Sequence, residues 1–172
     1  MHHHVFAPWA VAVAVFLSAG WLFAHEGRGR THALAPAADA TWASECSSCH
    51  MLYPPGLLPA RSWRAMMEGL DSHFGDNASL DPATRSAIAA FLDANAADRV
   101  GNRRSAKIAQ SIPAGDTPLR FTETRYFVRQ HHELRASVWK REKVGSAANC
   151  VACHGKEAER GVFDEDAVSV PK

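Results

Sequence analysis

All four cysteines of the 172-residue chain fall in two copies of one pattern, Cys46-Ser47-Ser48-Cys49-His50 and Cys150-Val151-Ala152-Cys153-His154. A C-x-x-C-H run is the attachment site of c-type haem. The chemistry explains the spacing. Two thiols one helical turn apart add to the two vinyl groups, and the adjacent histidine then lies under the iron as its proximal ligand. With ten histidines in the chain, chance would place one behind both pairs only about 0.3% of the time. The implied cofactors are two c-type haems, held through Cys46, Cys49, Cys150 and Cys153, with His50 and His154 on iron.

Other uses of cysteine fit less well. Zinc ribbons set their C-x-x-C pairs about 15–20 residues apart, whereas about a hundred residues separate these two. A thioredoxin-like pair would sit in alternating strands and helices, which the chain lacks, and a structural disulfide rarely closes so short a loop.

The second axial position of each iron can be filled from a short inventory. Beyond the N-terminal segment only His73, His131 and His132 lie outside the motifs, and the methionines are Met51, Met66 and Met67. Met51 is excluded for its own haem because its neighbour His50 already takes one face. No methionine follows residue 67, so two histidine-ligated haems are the simpler solution. His73 lies 23 residues after His50, and His131 lies 23 residues before His154, which pairs His50 with His73 and His154 with His131. On a helix built around Phe127 and Leu134, His131 falls on the apolar side. Its neighbour His132 points about 100° away, and the choice between the two stays open here. An iron with both positions filled offers no site to oxygen or peroxide. Its useful change is between ferric and ferrous, so the expectation is an electron carrier without catalytic residues. Two imidazoles also leave the potential below that of His/Met ligation.

These ligands need a scaffold, and the chain offers a small one. Residues 5–24 carry no charge and predict export, as a signal peptide or as a retained anchor near the ~20 residues that span a bilayer. Ala24 or Ala33 would suit cleavage, and Arg28 and Arg30 beyond the apolar run favour it. Residues 1–33 are therefore leader and tether, residues 34–172 the haem domain, and a mobile Ala/Gly/Pro-rich stretch is expected from His25 to Ala40. Net charge is +1, from 19 basic and 18 acidic residues. That balance excludes a nucleic-acid partner and strong attachment to anionic lipid.

The pattern predicts a mostly α fold of short helices and long loops packed around two haems, preceded by the export helix. Pro54, Pro55 and Pro59 exclude a long helix after the first motif. A helix should begin near Pro59 or Ala60, with Trp63, Met66, Met67 and Leu70 on one stripe. Leu80-Asp81-Pro82 marks the start of a second, to about Ala97, with Ile88, Phe91 and Leu92 inward. Residues Asp98 to Lys107 read as a solvated basic linker. Thr122 is the expected cap of a third helix that carries Glu123 and His131, Trp139 a haem-edge or core aromatic, and Gly161 to Pro171 an extended acidic finish.

The stretch from Cys46 through Met51-Leu52-Tyr53-Pro54-Pro55-Gly56-Leu57-Leu58-Pro59 to Trp63, continued by Gly69 to Asn77 and Leu80-Asp81-Pro82, resembles the bacterial dihaem cytochrome c family. Pro118 to Thr124, Arg129-Gln130-His131, Asn149 to His154 and Gly161 to Glu165 are similar to its second half. The resemblance spans about residues 42–171. It implies a small monomeric periplasmic carrier with bis-histidine ligation and gives the distal positions to His73 and His131, although the His131-His132 doublet departs from the family's single histidine. It also implies redox partners: a b-type membrane cytochrome or other quinol-linked donor, and a soluble oxygen-binding monohaem cytochrome as acceptor. The competing expectations are a small dihaem subunit of a periplasmic reductase and a dihaem peroxidase, for which the chain is short.

Overall fold

The computed structural model describes residues 33–35 and 37–172, besides Met1. The apolar segment, cleavage at Ala24 and most of the expected tether lie outside the described residues. Among the described residues no helix is long and apolar enough to cross a membrane.

The described chain is helical, with six short helices, several 3₁₀ turns and, outside them, one isolated bridge between His73 and Asp76. Helix α1 (Ala40–Cys46) begins where Asp39, in extended conformation, accepts a hydrogen bond from Trp42 N at 2.8 Å. It delivers Cys46 to the first motif. After a 3₁₀ turn at Pro55–Leu57, α2 (Ala60–Glu68) buries Trp63 and Met67, and Trp63 Nε1 donates to the Pro55 carbonyl at 2.7 Å. Helix α3 (Pro82–Ala94) has proline in its first turn and Asp81 as cap, accepting from Ala83 N and Thr84 N. Its buried Ile88 and Leu92 pack with Trp42, Leu58, Trp63, Met67 and Leu70 into the core of the first half. It stops at Ala94, three residues short of the expected end.

Four expectations need correction. The segment expected as a basic linker contains α4 (Arg103–Gln110), started by Asn102, whose Oδ1 accepts from Arg104 N and Ser105 N. Its inner face is only Ser105 and Ile108, too little apolar surface to show as periodicity. Thr124, not Thr122, caps α5 (Arg125–Gln130), because residues Phe121–Glu123 form a separate 3₁₀ turn. His131 is the residue that ends this helix. The tether is not free at its end: Leu34 is 1% exposed and donates its N–H to the Gly161 carbonyl at 2.8 Å. The acidic finish is also held, with a 3₁₀ turn at Glu165–Ala167, a bond from Ser169 N to the Cys153 carbonyl and one from Arg141 to the Pro171 carbonyl.

A second core joins Leu34, Leu57, Ala97, Ile108, Ile112 and Tyr126. Tyr53 and Phe121 pack against both cores and so tie the halves together. Helix α6 (Val151–His154) is one turn long and is itself the second motif.

Candidate haem-binding sites

The first motif hangs from the C-terminal end of α1, where the chain turns back through Ser47. His50 is exposed, and its Nδ1 lies 2.7 Å from the Met51 carbonyl oxygen. When that nitrogen donates, Nε2 is left unprotonated and free to bind a metal. Facing it is His73, just beyond the 3₁₀ turn Leu70–Ser72. Its N–H donates to the Asp76 carbonyl at 2.7 Å and its carbonyl accepts from Asp76 N at 3.1 Å. This closes a tight loop in which Phe74 (φ 55°) and Gly75 (φ 109°) both have positive φ. Phenylalanine is costly in that region. The loop is fastened from outside, because the Arg120 guanidinium lies 3.9 Å over the Phe74 ring, which meets His73 edge-on at 4.8 Å.

The second motif is set deeper. His154 and Cys150 are half-buried at the floor of a cleft lined by Phe127, His131, Trp139, Cys153 and Phe163 among others. Helix α5 ends at His131, whose Nδ1 lies 2.9 Å from the Phe127 carbonyl and whose ring stacks on the Phe127 ring at 4.0 Å. Trp139 stands 5.9 Å from His131. His132 is exposed, outside the cleft, with its Nδ1 turned to the Arg129 carbonyl. Val168 and Val170 of the C-terminal segment also line this cleft.

Electrostatics favour neutral groups at both places. Burial pushes the Cys150 thiol up to about 11 and also raises Cys46 and Cys153. The thiols thus stay protonated, a form poor for binding zinc. Burial likewise lowers His131, His154 and His73, the last also through neighbouring His50. A neutral imidazole is the form that ligates metal. Among the described residues no three Cys, His, Asp or Glu side chains converge on one point.

The decisive geometry is the spacing of the ring pairs. His50 and His73 have centroids 6.1 Å apart, and His131 and His154 6.2 Å. Two imidazoles on opposite sides of one metal, with metal–nitrogen bonds of about 2.0–2.1 Å and about 1.1 Å from nitrogen to ring centre, would stand about 6.3 Å apart. Each motif thus faces one histidine at the distance a shared iron requires, and the residues fit the cofactor. Among the described residues His154 Nδ1, like Ser62 Oγ and Ser105 Oγ, is buried without a hydrogen-bond partner.

A family model described as dihaem cytochrome c matches residues 42–163. The chain belongs to the dihaem cytochrome c family. Two structures of diheme cytochrome c from Rhodobacter sphaeroides are similar to it. One is 45% identical, with a TM-score of 0.65 over 76% of this chain and 99% of that one. The other is 43% identical, with a TM-score of 0.60 over 74% and 99%. A diheme cytochrome type c from Shewanella baltica OS155 is 41% identical, with a TM-score of 0.62 over 77% of this chain and 92% of that one. No curated protein matches. The family carries two c-type haems and serves electron transfer, and the mostly helical fold of short elements agrees with the sequence.

One residue escaped the sequence reading. The Tyr53 ring lies 5.1 Å from His50, and its hydroxyl donates at 2.8 Å to the Ala148 carbonyl, which Cys150 Sγ also approaches at 3.5 Å. Tyr53 therefore links the histidine of the first dihaem-cytochrome motif to the backbone two residues before the second. A tyrosine in a proline-rich loop carries no signal of a partner 95 positions away.

Proposed function

We propose that this dihaem cytochrome c is a monomeric periplasmic electron carrier without catalytic activity, with His50 and His73 on the first iron and His154 and His131 on the second. The spacing of the two ring pairs, each beside its own C-x-x-C, carries this reading. Haem iron supplies the one-electron change between ferric and ferrous. The chain's own residues do the rest: four thiols fix the groups covalently, four imidazoles close the irons to external ligands, and the Met51 and Phe127 carbonyls orient one ring at each site. Ligation by nitrogen alone sets both potentials below those of His/Met cytochromes.

Tyr53 supports rapid exchange between the sites, since it touches the first and is hydrogen-bonded to the backbone of the second. The donor we propose is a b-type or other quinol-linked membrane cytochrome, and the acceptor a soluble oxygen-binding monohaem cytochrome, met through a small transient contact. Export through residues 1–33, cleaved or kept as an anchor, would put the domain in the periplasm with these partners. The test is the reduced holoprotein under carbon monoxide, together with an alkaline pyridine spectrum and an intact mass. Two covalent haems and an unchanged reduced spectrum are expected. Rapid binding of carbon monoxide at either haem would favour an enzyme and overturn the carrier.

A further inference from the structure

Beside the second cleft runs a polar groove lined by Arg103, Arg104, Lys107 and Arg129. Among the described residues none of these four cations lies within ion-pair distance of a carboxylate. The chain as a whole is nearly balanced, at +1, so the groove is a local excess of positive charge. Such a cluster repels itself unless an anion matches it. Among the described residues Glu165 is the one carboxylate on the groove's wall, too little for four cations.

The groove and the cleft share a wall, formed by Arg104, Tyr126, Gln130 and Glu165. Cys150, Cys153 and His154 line the cleft but not the groove. Arg104 is fixed at this wall: its Nη1 donates to the Phe163 carbonyl at 3.4 Å, and its guanidinium lies 5.8 Å from the Phe163 ring centre. That ring in turn meets His154 edge-on at 5.3 Å. A c-type haem is tethered along one edge and bears its two propionates on the edge remote from the thioethers. The groove lies beyond a wall without cysteines, on the side of the cleft open to that second edge.

The geometry points to the groove as the carboxylate site of the second haem, with Arg104 the residue that meets a propionate and Arg103, Lys107 and Arg129 completing the field. The assignment rests on the function proposed above. It makes Arg104 a positioning residue that also tunes the haem: reduction adds a negative charge to the iron, and nearby cations favour the reduced state.

The test is a redox titration of the full holoprotein, followed by electron paramagnetic resonance so that each potential is assigned to its haem. Arg104→Gln should weaken reduction of the second haem up to about tenfold, about 59 mV for one electron, with the first haem unmoved. Arg104→Lys should restore most of the loss, which a merely structural role would not predict. Lys107→Gln, on an exposed position, should shift the same haem in the same direction by less, and guards against a folding defect at Arg104. If both variants keep two haems and neither moves the second potential, the assignment is wrong and the cations serve a partner instead. An equal shift at both haems would also overturn it. Fewer than two haems on the unaltered chain would remove the parent function, a failure visible before any variant is made.

Discussion

The two haem sites satisfy one requirement by different means. At the first, His73, the proposed distal ligand, adjoins a strained two-residue loop at the surface, and its ring is 29° from parallel with that of His50. At the second, His131, the proposed distal ligand, ends a helix and is stacked on Phe127 within an aromatic cleft, and its ring stands at 87° to that of His154. Spacing along the chain makes the sites look like mirror images. Packing makes them unequal, because a loop lets the ring align with its partner whereas the helix end and Phe127 dictate the ring's plane.

The strongest way to break this comparison is to remove one distal ligand at a time. His73→Ala should convert only the first haem to a high-spin form that binds carbon monoxide, and His131→Ala only the second, as visible spectra would show. His132→Ala should leave both spectra unchanged. If His132→Ala opened a haem and His131→Ala did not, the assignment of the second site would be reversed.

Backbone constraint should differ next. Gly75 and Gly161 both have positive φ, but a β-carbon at Gly75 meets nothing, while one at Gly161 would lie 2.9 Å from Leu34 Cβ. Gly75→Ala should cost about 1–2 kcal/mol, and Gly161→Ala about 1–3 kcal/mol more for overpacking, measured by denaturant titration. Equal losses would mean that Leu34 does not hold the second half. The smallest effect is expected at the start of α4. Asn102→Ala removes a helix cap and the bond from its Nδ2 to the Ala33 carbonyl. It should cost about 1 kcal/mol, seen in thermal unfolding, without altering the first site's spectrum.

How far the sequence reveals this molecule depends on where each part's information lies. The motifs are legible because haem attachment fixes residue types at fixed spacing. The proposed distal ligands, His73 and His131, come from elimination, since few histidines remain. Helix α3 announces itself through Asp81, Pro82 and an apolar stripe. Helix α1 does not, because its cap Asp39 lies in an alanine-rich stretch that composition marks as tether. Helix α4 is hidden because a strongly basic segment buries only two side chains. The docking of the C-terminal segment is invisible for another reason: Ser169 and Pro171 are held through backbone groups, which any residue possesses. The pairing of Tyr53 with Ala148 is lost the same way.

The most direct test of the central claim, two bis-histidine haems in unequal settings, is the low-temperature electron paramagnetic resonance spectrum of the fully oxidised protein. Near-parallel imidazole planes split the iron dπ orbitals and give an ordinary rhombic low-spin signal, whereas perpendicular planes leave them nearly degenerate and give a highly anisotropic one. One of each is expected, in equal amounts, the first from His50 and His73 and the second from His131 and His154. A high-spin signal of comparable size, or two identical low-spin signals, would contradict it.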